Sequence, residues 1–188
     1  MPAIDIELTP GGGGYWVLFE NGSVHAFGDA RDFGSLVGVR SAMAADLFER
    51  LNGERVKRGL PRLGWNGTLE AAGNTWSARM ASRGLQHGSW TLVDQSGYET
   101  LGENIGRSSG TAANAGAVHS SWMNSDMHRA LILEPGFDSV GIGVACANGQ
   151  VWATQVFGRR AGSSQPPVTQ SVPPHDPIAY PEPGGAGC

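Results

Sequence analysis

The chain has 188 residues, 40% of them hydrophobic and 16% charged. That is one domain of ordinary size with appendages, apolar enough for a real core, and its apolar runs, such as Tyr15 to Phe19, are far too short to cross a bilayer. A net charge of −4, with eleven basic against ten acidic side chains in residues 41–162, leaves no single-sign field to hold a nucleic acid.

Residues 10–38 are rich in glycine and aromatics. Tyr15–Phe19 and Ser23–Phe27 have strand character, and Asn21-Gly22 between them is a strong hairpin signal. From Ser41 the period becomes helical: Ala44, Leu47, Phe48, Leu51 and Val56 recur at the right spacing until Gly59 and Pro61 stop the run. Leu69, Ala72, Trp76 and Met80 mark a second helix, ended by Gly84. A third is expected from about Thr111 to Met123, with Ala117, Val118 and Trp122 inward and Ser109 or Thr111 as its cap. A short helix from Ser125 to Leu133 then breaks at Pro135-Gly136.

Val140, Ile142, Val144 and Cys146 alternate, Asn148-Gly149 turns, and Val151–Phe157 returns, which describes a hairpin with one apolar face. Helices followed by antiparallel strands make the class α+β. Seven of the eleven prolines fall between Pro166 and Pro183, where large apolar groups are few, so this stretch is read as a disordered tail. The division is then 1–40, 41–162 and 163–188. Two cysteines make no disulfide framework; Cys146 is read as a buried free thiol and Cys188 as a terminal one.

Polar residues that a core does not require lie between the second helix and the last hairpin. His87 follows a helix end, Glu103 sits between Gly102 and Gly106, and His128 precedes Arg129. Their spacings of sixteen and twenty-five residues match no local metal motif, so spacing alone leaves a shared site and a set of ordinary polar residues both open. His25, His119 and His175 are poor candidates. Trp65, Trp76 and Trp122 read as core, Trp90 as a possible cleft wall, and Arg129 as structural.

The local words go further. Asn52-Gly53-Glu54-Arg55, Trp65-Asn66, His87, Gly102-Glu103-Asn104-Ile105, Trp122-Met123-Asn124-Ser125-Asp126-Met127-His128-Arg129 and Val140-Gly141-Ile142-Gly143-Val144 follow one another in order. Over about residues 42–159 the chain resembles the bacterial branch of the CAP superfamily, the SCP-like domains. The segment before it, with GYW, NGSV, FGDA and GSL, resembles one copy of a glycine- and aromatic-rich β repeat of actinobacterial surface proteins. The resemblance implies an α–β–α sandwich with a small antiparallel sheet and a cleft. His87, His128 and Glu103 would there take Zn²⁺ or another divalent metal, with Glu103 as ligand or as the group holding a catalytic water. A second family acid, three residues after the helix tryptophan, is replaced by Ser125, and Asp126 is its neighbour.

A secreted or cell-surface domain is expected from this resemblance, monomeric, without nucleic acid or membrane span, and with a lipid, sterol or cell-wall ligand. An export signal or further repeats would lie upstream of Met1. A weak metal-dependent hydrolase using Glu103 is the alternative. A Ser125–His128–Glu103 arrangement without metal and a purely structural or interaction module complete the set.

Overall fold

The computed structural model describes residues 3–19, 24–31, 36–166 and 187. They form two compact units, Met1–Ala42 and Met43–Cys188. The first unit holds an antiparallel meander of β1 (Ala3–Leu8), β2 (Gly14–Phe19) and β3 (Val24–Gly28). β2 and β3 are the expected hairpin, although its Asn21-Gly22 turn lies outside the described residues. β1 is an addition, made from the alternation Ile4-Asp5-Ile6-Glu7-Leu8. Tyr15 and Phe27 stack across the sheet at 4.9 Å.

The second unit is the expected α+β fold. Its sheet has the order β4-β6-β7-β5, made of β4 (Gly64–Trp65), β5 (Tyr98–Ser109), β6 (Ser139–Ala147) and β7 (Gln150–Arg160). Only the two-residue β4 runs parallel to its neighbour. The helices are α1 (Leu36–Lys57), α2 (Gly67–Arg83), α3 (Ala115–Met123) and α4 (Asp126–Ile132). Met43, Leu47 and Leu51 of α1 meet Val118, Trp122 and Ile132 against Val140, Ile142 and Phe157 on one face of the sheet. Leu69, Trp76 and Met80 of α2 cover the other face, against Ile105, Trp152 and Val156.

The last hairpin is therefore buried on both faces, not on one. Gly141 and Gly143 account for this. A Cβ on either would run into the α2 backbone, at Leu69-Glu70 or at Gly73-Asn74. The small residues let the helix lie directly on the strands, so the alternation hides a second covered face. Asn148 at φ 52° and Gly149 at φ 65° make the tight turn between β6 and β7.

The remaining departures concern ends and single residues. α1 starts five residues before Ser41, and Val56 is exposed, its helical turn being buried through Asn52 and Arg55 instead. Trp65 is 39% exposed rather than core, set edge-on to Phe48, whereas Trp76 and Trp122 are buried. α3 is capped by Asn114, whose side chain accepts from Ala117 N, and not by Ser109 or Thr111. Cys146 is disulfide-bonded, which overturns the free-thiol reading; Cys188 lies outside the described residues. So does most of the proline-rich segment, while Gly187 bridges to Asn114.

His119 on α3 is buried, its Nδ1 has no partner among the described residues, and burial lowers its pKa to about 4. Positive Arg50 and Lys57 push the same way, against Glu54 and Asp46. The unfolded ring takes its proton near pH 6.5 and the folded ring only near pH 4, so the unfolded state binds more protons in between. Stability is full above pH 6.5 and falls as the pH drops toward 4, by about 3 kcal/mol at ~1.4 kcal/mol per pH unit. A pH series of thermal melts should show this loss reduced in His119→Gln. Parallel curves for the two proteins would contradict it.

Candidate functional site

The chain from α2 into β5 is laid down by Trp76. Its indole nitrogen donates to the Gln86 carbonyl at 2.8 Å, and its ring fills the place a Cβ on Gly88 would need. Gly88 sits at φ 143°, a conformation that also demands glycine. This bend carries His87 to the surface and turns the Gly88 and Ser89 amides inward.

They meet Glu103 of β5, whose side chain is 1% exposed. Gly88 N donates to Oε2 at 3.0 Å and Ser89 N to Oε1 at 2.9 Å. His87 Nδ1 lies 2.8 Å from Oε2. A carboxylate that already gathers two amides is an acceptor, so the neutral His87 ring carries its proton on Nδ1 and leaves Nε2 bare. The His87 side chain is 53% exposed, which opens that nitrogen to solvent and ligands. Trp90 flanks it with ring centroids 6.4 Å apart.

β5 places its residues alternately on two faces. Leu101 and Ile105 pack with α2 residues, on the side of Glu103, while Gly102 and Gly106 face Phe137 and Trp122. Asn104 points to that second side. Its Nδ2 donates to the His128 carbonyl at 3.0 Å and to Gln155 Oε1 at 3.1 Å. His128 lies on the first turn of α4, which Arg129 anchors through Met123 O and Asp126. His87 is thus held on the Glu103 face of β5, and the His128 main chain on the opposite, Asn104 face. Burial lowers the His128 pKa, with a smaller coulombic contribution in the same direction from His87. The His128 Nδ1 is buried without a partner among the described residues.

Asp126 does not supply the second acid: it is paired to Arg129 and turned outward. Ser125 occupies the cap position of α4 without a side-chain capping bond. No group of three His, Cys, Asp or Glu side chains suited to a metal occurs among the described residues. Asn104 and Gln155, both fully buried, hold the His128 segment, and neither was assigned a role from the sequence. The signal for Asn104 was its place beside Glu103 in Gly102-Glu103-Asn104-Ile105, and for Gln155 its place in the run Gln155-Val156-Phe157-Gly158, which belongs to the same series of family words.

Comparison with known proteins adds the family. Residues 48–157 match CAP, the cysteine-rich secretory protein family. The uncharacterized protein YkwD of Bacillus subtilis (strain 168) is 33% identical over 128 residues, 63% of this chain. The chain spans about half of that relative's length, 48%. An extracellular SCP-domain protein of Bacillus anthracis superposes with TM-score 0.57 at 20% identity, over 83% of this chain and 60% of that one. A structure described as NaASP2 with Zn²⁺ gives TM-score 0.50 at 11% identity, over 63% and 80%. At these identities the two structures speak to the fold. With the sequence match over residues 48–157, the chain belongs to the CAP family of cysteine-rich secretory proteins.

Proposed function

We propose that this chain is a secreted or cell-surface CAP-type binding domain whose cleft takes a divalent metal, zinc by ligand chemistry, through His87 and His128. The observation that carries the reading is the Glu103 anchor, a buried carboxylate that aims His87 with a bare Nε2 at the open cleft. His128 offers a second imidazole, with a buried ring nitrogen that has no partner among the described residues. Glu103 is a positioning residue in this reading, because its oxygens are already engaged by His87, Gly88 and Ser89. When bound, such an ion polarises a water or a carbonyl and leaves coordination positions for a ligand. Two protein nitrogens make a loose, accessible site, not a closed structural one.

Export is supported by the disulfide at Cys146, since such bonds persist in oxidising compartments, and by the extracellular Bacillus anthracis protein of similar fold. Residues 1–40 are then a separate repeat-like segment ahead of the domain.

Isothermal titration of Zn²⁺ into metal-stripped protein at pH 7.5 tests the reading. Saturable one-site binding is expected in the wild type, weaker binding in Glu103→Gln, and none in the His87→Ala/His128→Ala double variant. Equal heats from wild type and double variant would overturn it.

A further inference from the structure

Most arginines in residues 43–162 are spent. Arg50, Arg58, Arg62, Arg129, Arg159 and Arg160 are ion-paired, and Arg55 holds main-chain carbonyls. Arg79, Arg83 and Arg107 differ: all three are exposed, and no carboxylate among the described residues pairs with them.

The fold gathers these three on one side of the sheet. Trp76, Arg79 and Arg83 recur at i, i+3 and i+7 along α2 and so share one face of the helix. Glu103, Ile105 and Arg107 alternate onto one face of β5. Trp76, Met80, Ile105 and Trp152 belong to one buried cluster, which brings the two faces together. Trp152 is the cross-strand partner of Arg107, whose guanidinium lies 5.3 Å over its ring. Arg79 lies 5.5 Å over Trp76, the same ring that shapes the Gly88 bend.

Stacking occupies the flat face of a guanidinium and leaves its N–H groups free in the plane, where they pair with an oxyanion through two parallel bonds. Arg62 shows how such a group is satisfied within the chain: it lies 5.8 Å over Phe48 and bonds both oxygens of Glu49. Arg79 and Arg107 have no such acid at hand. Residues 71–93 and 104–125 contain no aspartate or glutamate, and neither do β6 and β7. Glu70 lies in the first turn of α2 and accepts from Trp65. The Glu103 carboxylate is buried and engaged by His87, Gly88 and Ser89. Three clustered cations are too few to follow a nucleic-acid backbone, but they match one phosphate monoester, which carries about −1.5 to −2 at pH 7.

We infer that Arg79 and Arg107, with Arg83 beside them, bind the phosphate group of an anionic ligand on the α2 side of β5. The patch adjoins the His87 bend through Trp76. Its pairing uses arginine alone and does not depend on a metal.

Two probes separate the sources of such a phosphate: sn-glycerol 3-phosphate, and vesicles of phosphatidylcholine with phosphatidic acid in a four-to-one ratio. Both are added to metal-free protein at pH 7.5, with glycerol and vesicles of phosphatidylcholine alone as blanks. Binding is read from the side-chain Nε–H resonances of Arg79 and Arg107. At least one probe should move or broaden both resonances saturably, and its affinity should fall at least tenfold in Arg79→Gln/Arg107→Gln. A response to glycerol phosphate assigns a free ester, and a response to the phosphatidic acid vesicles alone assigns a lipid headgroup. Arg62→Gln removes an exposed arginine already paired with Glu49 and should leave the affinity unchanged. Resonances that respond to neither probe would overturn the inference, as would undiminished affinity in the double variant or an equal loss in Arg62→Gln. If the double variant does not fold, the wild-type resonances decide by themselves. The metal-free protein keeps the outcome separate from the zinc titration, so either reading can fail alone.

Discussion

Replacing Glu103 with alanine is expected to destabilise the protein by about 3 kcal/mol and to free the His87 ring. The substitution leaves the Gly88 and Ser89 N–H groups, on buried residues, without acceptors. Each such loss costs roughly 1–3 kcal/mol, offset in part because a carboxylate no longer has to be kept out of water. Glu103→Gln keeps one oxygen acceptor and should cost about half as much. Urea unfolding of the three proteins measures this. A Glu103→Ala midpoint equal to the wild type would mean that the bend after α2 is held by Trp76 alone.

Arg55→Met is expected to cost about 4 kcal/mol, within the range for breaking a buried charged network. The guanidinium is completely buried at the end of α1. It donates to Pro61 O at 2.8 Å, Ile132 O at 2.9 Å and Glu134 O at 2.8 Å, joining α1 to the chain leaving α4. Desolvation lowers its pKa to about 10, with Glu134 opposing the shift, so it stays charged at neutral pH. Methionine fills much of the volume and satisfies none of the three carbonyls. Thermal melts should show a fall of roughly 10 °C. An unchanged melting temperature would show that these carbonyls find water and that α4 is held from elsewhere.

The helices were legible because their apolar residues recur at one period and their ends carry glycine, proline or asparagine. β5 was not. Its residues, Tyr-Glu-Thr-Leu-Gly-Glu-Asn-Ile-Gly-Arg-Ser-Ser, put a buried glutamate and a buried asparagine where alternation predicts apolar or solvated groups. Those two positions are the site itself. The strand serves the cleft at the expense of its own pattern, and a reading by hydrophobic period takes it for a loop. Its glycines are explained from outside as well, by Phe137 and Trp122 pressing on Gly102 and Gly106. Val56 failed in the opposite direction: it kept the helical period but lies exposed, because Arg55 and Asn52 take the inner line.

For the site, the motif words pointed to His87, Glu103 and His128, and the His87–Glu103 pair is in contact. What they did not convey is the hierarchy. Glu103 is buried, His87 is exposed, and the two amides between them are fixed by a bend that only glycine at position 88 allows. Spacing along the chain carries no record of that bend, since it depends on Trp76, eleven residues before His87. The disulfide at Cys146 was equally out of reach, because two cysteines in a sequence say nothing of whether the chain brings them together.

The most direct test of the account is a long-range ¹H–¹⁵N spectrum of the histidine rings at pH 7.5, before and after one equivalent of Zn²⁺. His87 should carry its proton on Nδ1 with Nε2 bare, and zinc should move that Nε2 together with a ring nitrogen of His128. A His87 ring protonated on Nε2, or zinc that leaves both rings unmoved, would contradict it.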